Sequence, residues 1–379
     1  MTATGRLAAF YFAYFAHAGA FVPYFTLWLA ARELTAAQIA VVMAMPQVAR
    51  IFAPALWGWL ADRSGAGRAI VLFSGMALVV GYLALHAVHA FTGVALVMLA
   101  LSVLAAGALP IVEMITFSTL EGRSGQYGPV RLWGSIGFIL GVLGLGAWLD
   151  HRPVATVLDW VLALAVISFM VSFALPTIAT PPPAREGVRL GAVIRRSDVI
   201  AFFGACFCMS VAHGAMYAFY SIYLEASGYP KTLIGALWTL GVVAEILVFL
   251  CLPQILRQFG LRGLLLASFV CAAARFLAIG WGAGSLAVLV AAQLLHAATF
   301  GTFHAAAVAA VHRFFPGALA ARGQALYSSI GFGLGGAVGI LLAGWTWEAL
   351  GPAPSFTISA AFGLAGLALV AWRVRFATD

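Results

Sequence analysis

This chain has little charge. Of its 379 residues, only 8% are Asp, Glu, Lys or Arg, while 64% are hydrophobic. A soluble domain carries about 25% charge, so this composition cannot cover a water-facing surface. There is one lysine, Lys231, and four cysteines, Cys206, Cys208, Cys251 and Cys271, each within an apolar run. The Cys206/Cys208 spacing has no second ligand pair, which points to packed, reduced thiols and no metal site. The net charge of +8 comes from arginines spread through the loops. That spread excludes a nucleic-acid face, which needs a concentrated basic patch. Alternating ten-residue strands are missing, which excludes a membrane β-barrel. No nucleophile with an adjacent base and no His-Glu-x-x-His motif is present, so the chain is not expected to be an enzyme. The first apolar run has no small-residue cleavage site and continues to full span length, so no cleavable signal peptide is expected.

What the chain has is long apolar runs. A helical span needs about 20 apolar residues, and in lipid every span must satisfy its own backbone hydrogen bonds. Reading runs between punctuation predicts twelve, at about 7–30, 37–60, 69–90, 94–119, 129–149, 155–176, 199–224, 232–255, 263–282, 285–311, 323–346 and 355–373. The fold class expected is an all-α polytopic membrane protein with twelve transmembrane helices. The longest polar stretch, 177–198, holds Pro181-Pro182-Pro183, Arg185, Arg195 and Arg196. It reads as a linker between a six-helix bundle at 1–176 and a second at 199–379.

Orientation follows from the basic residues. With the N-terminus inside, the inner loops hold Arg63, Arg68, Arg195, Arg196, Arg257 and Arg262 among others, whereas the outer loops hold only Arg32, Arg152 and Lys231. Both termini are therefore expected in the cytoplasm. An internal repeat supports two related halves. Ser135-Ile136-Gly137-Phe138 recurs as Ser329-Ile330-Gly331-Phe332, an offset of 194 that also carries Arg63 onto Arg257 and Arg68 onto Arg262. The glycines Gly137/Gly141 and Gly335/Gly339 read as close helix contacts. The run Gly331 to Gly336 fits a dinucleotide-binding pattern, but no strand precedes it and it lies within a span, so that reading is rejected.

Ionisable residues inside the spans are the functional candidates. A charge at a span's centre costs about 2.5–3.5 kcal/mol on insertion scales, and it persists where it lines a cavity or pairs across helices. The candidates are Arg50, Glu113, Arg131, Glu245 and Arg275, joined by His17, His213, His296 and His304. Glu113 in the fourth span and Arg131 in the fifth lie on antiparallel neighbours. They read as a substrate clamp or, alternatively, as a buried structural pair. Glu245 stands among Val242, Val243, Ile246 and Leu247 with no cation within a turn. Desolvation favours its neutral form, as a proton carrier requires, and Arg275 and His296 are its expected partners. His17, Phe21 and Tyr24 fall at i, i+4 and i+7, and His213, Tyr217 and Tyr220 repeat that spacing in the corresponding helix. Each stripe places its rings on one helix face, towards a substrate cavity or towards the core.

The segment Gly58-Trp59-Leu60-Ala61-Asp62-Arg63-Ser64-Gly65-Ala66-Gly67-Arg68 resembles the signature loop between helices 2 and 3 of the major facilitator superfamily. Asp62, Arg63 and Arg68 are expected to act there as a conformational latch. Asp62 would accept hydrogen bonds from a neighbouring helix start, and the arginines would pair with carboxylates or anionic lipid. Tyr127-Gly128-Pro129-Val130-Arg131-Leu132-Trp133-Gly134-Ser135 and Leu237-Trp238-Thr239-Leu240-Gly241-Val242-Val243-Ala244-Glu245 resemble the bacterial phenylpropionate permease family, relatives of the lactose-type sugar/proton symporters. The similarity runs over almost the whole chain.

The resemblance implies two pseudo-symmetric six-helix bundles, alternating access and proton-coupled uptake. It implies that Glu113 and Arg131 bind substrate and that Glu245, Arg275 and His296 occupy the coupling positions. One departure stands out: the sugar symporters carry a second carboxylate one turn after the histidine, where this chain has Thr299. Glu245 with His296 is the expected substitute for proton coupling. The expected solute is a small organic molecule such as an aromatic monocarboxylate, with His17, Tyr24, His213, Tyr217 and Arg275 around it. A sugar or nucleoside symporter and a proton-driven efflux antiporter are the alternatives. No cofactor is expected beyond the coupling proton. The expected setting is a monomer in the bacterial inner membrane, bound to lipid and solute and not to nucleic acid.

Overall fold

The structure, a computed structural model, describes residues 2–120, 126–177 and 190–376. Among these residues there is no strand. The first six helices are α1 (Ala3–Ala30), α2 (Ala36–Ser64), α3 (Gly67–Ala87), α4 (Phe91–Leu120), α5 (Tyr127–Leu149) and α6 (Val154–Ser172). After a short helical turn at Leu190–Ile194 comes α7 (Ser197–Ala226). The 52-residue stretch Lys231–Gly282 leaves helical geometry at Gly260, with φ 63° and ψ 171°. It therefore comprises two rods, α8 (231–259) and α9 (261–282). Then follow α10 (Leu286–Phe314), α11 (Ala320–Leu350) and α12 (Pro352–Arg373). Most of the polar linker read at 177–198, including Pro181-Pro182-Pro183 and Arg185, lies outside the described residues.

Ten stretches are long and apolar enough to cross a membrane when Lys231–Gly282 is taken as one. Dividing that stretch at Gly260 adds one rod. Ala3–Ala30 adds a 28-residue helix whose mean hydropathy is lowered by Tyr11, Tyr14, Tyr24 and His17. Large apolar side chains face outward, with Trp281, Trp345 and Trp372 all more than half exposed. Water penalises such a surface at about 25 cal/mol per Å², whereas lipid does not.

The chain clusters into two compact units, Met1–Pro183 with Tyr229–Ala236, and Ala184–Gly228 with Leu237–Asp379. The start of α8 thus packs with the first unit, and the rest of that helix belongs to the second. In the first unit α1 crosses α5 at backbone contact. A Cβ added at Gly137 or Gly141 would fall on the carbonyls of Phe12 and Ala16, and one at Gly19 on that of Phe138. In the second unit Gly335 and Gly339 lie in the same way against the backbone of Phe207 and Val211 in α7. Only glycine permits this approach, which brings one helix of each unit to backbone contact with its neighbour at these positions.

The two units share a second device. Arg68, at the start of α3, donates from Nη2 to the carbonyl of Phe173 just past α6. Arg262, at the start of α9, donates from Nη2 to the carbonyl of Ala371 in α12 at 2.7 Å. Each guanidinium satisfies a carbonyl at a helix C-terminus, where cations are favoured. Arg68, expected to pair with a carboxylate or lipid, makes this backbone contact through Nη2. Arg63 lies 5.6 Å from the Trp59 ring centre. Gly65 closes α2 in the left-handed region at φ 66°. The Asp62 side chain is exposed and makes no hydrogen bond or ion pair among the described residues.

Candidate functional site

Ionisable and aromatic side chains gather into one polar cluster per unit. In the first unit the cluster stands on α1, where His17 Nε2 lies 2.9 Å from the Tyr82 hydroxyl of α3. Phe21 stacks on the same imidazole at 6.2 Å. His17 and Tyr82 are buried. Sequence reading missed Tyr82, whose only signal was a polar-edged ring inside the apolar third span. Tyr24 is fully buried, and its hydroxyl is directed at the carbonyls of Val142 at 3.0 Å and Lys231 at 3.2 Å. Its ring edge occupies space left by Gly146 and Gly235. That hydroxyl, predicted for substrate, is spent on the backbone.

Glu113 and Arg131, expected to meet, form no ion pair among the described residues, although each lies within electrostatic reach of the other. The Arg131 guanidinium lies instead over Phe15 at 4.0 Å and over Tyr11 at 5.5 Å. Gly134 permits this: a Cβ there would sit 2.6 Å from Arg131 Nη1 and 2.9 Å from the Phe15 ring. The arginine folds back along its own helix onto an aromatic face, an arrangement that suits the flat guanidinium. Glu113 is half-buried on α4, one turn past Pro110. The proline lacks an N–H, and α4 is broken at Ala106 and Gly107 where that hydrogen bond is missing. Arg50 is exposed on α2.

In the second unit the expected partners do meet. His296 Nε2 on α10 lies 3.8 Å from a Glu245 carboxylate oxygen on α8, and both side chains are mostly buried, at 10% and 18% exposure. Two glycines make room. Gly241 of α8 faces the His296 ring at 3.1 Å, and Gly301 of α10 faces Glu245 Cγ at 2.7 Å, as measured from a hypothetical Cβ. Gly301 lies in a π-helical turn, Ala297–Thr302. His296 Nδ1 has no hydrogen-bond partner among the described residues.

Arg275, the other predicted partner of Glu245, turns elsewhere. It is fully buried, and its five N–H groups are matched by five neighbours. Nε donates to the Ala292 carbonyl at 3.1 Å. Nη1 donates to Thr299 Oγ1 at 3.0 Å and approaches His213 Nε2 at 3.5 Å. Nη2 donates to Gln293 Oε1 at 3.1 Å and contacts Met216 Sδ at 2.9 Å. No carboxylate is among them. His213 Nδ1 lies 2.8 Å from the Met209 carbonyl, which can only accept, so Nδ1 carries the proton and Nε2 offers Arg275 a lone pair. Tyr217 stacks on this imidazole at 5.9 Å. A saturated guanidinium positions α7, α9 and α10; it has no N–H left for a solute. Its charge, uncompensated by a carboxylate contact, still favours an anion nearby. Gln293 was a missed member, legible only as an amide in an apolar run.

His304 also acquires a place. Its Nδ1 lies 3.0 Å from the Tyr327 hydroxyl of α11.

Two helical units of this architecture, with paired ionisable groups inside them, are matched by known proteins. A family model described as the MFS_1 like family matches residues 4–358. The chain belongs to that family. It is therefore a transporter of the major facilitator type and not an enzyme. Among its relatives, the probable 3-phenylpropionic acid transporter of Escherichia coli strain K12 is 30% identical over 366 residues, covering 93% of each chain. The maltose permease of Geobacillus stearothermophilus is 27% identical, covering 98% of this chain and 95% of its own. Among solved structures, the nucleoside transporter NupG superposes with a TM-score of 0.87 at 19% identity, covering 98% of this chain and 99% of its own. At that identity NupG shows that this MFS_1-like chain shares its fold.

Proposed function

We propose that this transporter takes up a small aromatic monocarboxylate together with a proton, by alternating access. The Glu245–His296 contact at 3.8 Å carries the reading. At 3.8 Å the carboxylate and imidazole stand just beyond hydrogen-bond length, so a small side-chain movement lets one proton pass between them. A group that binds and releases a proton inside an apolar span couples transport to a pH gradient. The proton resides on a Glu245 oxygen or on His296 Nε2. Arg275 holds α10 and His213 in register and contributes a positive field that favours an anionic solute. Arg131, Glu113, His17 and Tyr217 supply the remaining polar and aromatic contacts to the solute. Asp62, Arg63 and Arg68 form the latch, with Arg68 fixed on the Phe173 carbonyl. The 30% identical relative, named for 3-phenylpropionic acid, supports the solute class.

The protein is proposed to work as a monomer in the bacterial cytoplasmic membrane with both termini in the cytoplasm. Relatives named for maltose and nucleosides support a sugar or nucleoside symporter as the second reading. Purified protein in liposomes, with acid imposed outside, separates these. Accumulation of labelled 3-phenylpropionate above equilibrium, with no accumulation of maltose or uridine, is the expected result. Net outward movement of label would identify an efflux antiporter.

A further inference from the structure

Two π-helical turns occur among the described residues, Ala297–Thr302 in α10 and Ser328–Gly335 in α11, both in the second unit. Such turns break the regular hydrogen-bond ladder and gather at functional sites. Each carries a phenylalanine, and the two rings meet. Phe300 and Phe332 have centres 6.4 Å apart with planes at 59°. His304 joins them, 5.7 Å from Phe332 and near-parallel to Phe300 at 6.3 Å and 15°. Phe300 in turn stacks on His296 at 5.3 Å and 9°. The outcome is a column of rings, His296, Phe300 and His304, along one face of α10, with Phe332 set against its side. The column begins at the imidazole that touches Glu245.

This wall is not closed core. Phe300, His304 and Phe332 are each part-exposed, while Tyr327 behind them is buried. Tyr327 holds His304 Nδ1 at 3.0 Å, which fixes the imidazole plane. His296 Nδ1, at the head of the column, is buried with no hydrogen-bond partner among the described residues. An oriented aromatic wall with one unpartnered imidazole nitrogen at its end matches a flat ring bearing a polar substituent.

We propose that Phe300, Phe332 and His304 form the slot that binds the solute's aromatic ring. The inference rests on the aromatic-monocarboxylate reading above and adds the residues that select for the ring. A planar ring continues the column by stacking on Phe300 and meets Phe332 edge to face. A saturated ring of similar size cannot pair with either quadrupole. Because the column starts at His296, an occupied slot lies within one ring of the proton pair.

The test compares binding of 3-phenylpropionate with that of its saturated counterpart, 3-cyclohexylpropionate, to purified wild type, Phe300→Leu and Phe332→Leu. Leucine keeps an apolar side chain of adequate volume. Wild type should prefer the aromatic acid, and each substitution should lower the preference about three- to ten-fold, as loss of one aromatic pair implies. Phe300→Tyr should keep the preference, which a general packing defect would not. If either leucine variant fails to fold, the other carries the test. Leucine variants that keep the wild-type preference overturn the slot and leave the solute reading standing. Wild type that binds neither acid overturns both.

Discussion

Asp150 receives the backbone amide of Lys231 at 2.6 Å on one carboxylate oxygen and that of Thr232 at 3.1 Å on the other. It thus caps the start of α8 from the end of α5, so that two free amides of a helix start bind an acceptor 81 and 82 residues away. Tyr24 completes the arrangement from α1 through the Lys231 carbonyl. Together these contacts explain why Tyr229–Ala236 packs with the first unit.

Removing the cap as Asp150→Ala should cost about 1 kcal/mol locally. Hydrogen exchange at Lys231 and Thr232 should rise about five-fold, while the interiors of α1 and α5 stay unchanged. Equal protection in the variant would mean that Tyr24 and the glycine contacts hold the segment alone.

The same carboxyl sets a pH window. Burial pulls the Asp150 carboxyl upward, but hydrogen bonds from Thr232 and Lys231 outweigh it and hold the group below the ordinary carboxylate range. The ionised form is thus favoured in the folded state. Its contribution is complete above the unfolded value of about 3.9 and is lost as pH falls through the lower folded value. Exchange protection at 231–232 should be flat between about pH 5 and 8 and should fall only in stronger acid.

Glu245→Gln removes a site that can hold or release a proton and preserves shape. Counterflow exchange of solute should persist, while accumulation driven by a pH gradient should fall to the level of liposomes without a gradient. Full accumulation by this variant removes Glu245 as the coupling group.

Gly301→Ala should act on the same step from the opposite helix. Its Cβ would stand 2.7 Å from Glu245 Cγ, so the Glu245 side chain must shift and its contact with His296 is disturbed. Overpacking of this kind costs about 1–3 kcal/mol. The pH midpoint of transport should shift in Gly301→Ala and not in Gly263→Ala, since the nearest neighbour of Gly263, Phe259 Cβ at 3.5 Å, is at ordinary contact distance.

Arg68→Gln and Arg262→Gln each leave a helix-end carbonyl without its charged donor. Each should lower the thermal midpoint, at a cost of about 1–3 kcal/mol for the part-buried Arg262 contact and less for the exposed Arg68 contact. The two sites belong to different units and share no partner, so the double variant should lose the sum.

The repeat that pairs Arg68 with Arg262 was visible in the chain, because an offset of 194 aligns both arginines and the Ser-Ile-Gly-Phe motifs. What they bind was not visible. For Arg68 a carboxylate or anionic lipid was expected and for Arg262 no partner; both meet carbonyls that end a helix more than a hundred residues later. Glu245 with His296 was legible because each stood out within its own apolar run. The parting of Glu113 from Arg131 was not, since it turned on Gly134 leaving a path onto Phe15.

Apolar runs of span length, scarce charge and the placement of each ionisable residue are local properties, and they suffice to determine a helical membrane transporter built as a repeat. The partner each buried group takes was decided only in three dimensions. It depends on how each helix is rotated and how closely its glycines let a neighbour's backbone approach. The π-helical turns that bring Phe300 to Phe332, and the five contacts that saturate Arg275, arise from that packing. Hydrogen-bond geometry is set over ångströms between distant segments, and no periodicity along one segment encodes it.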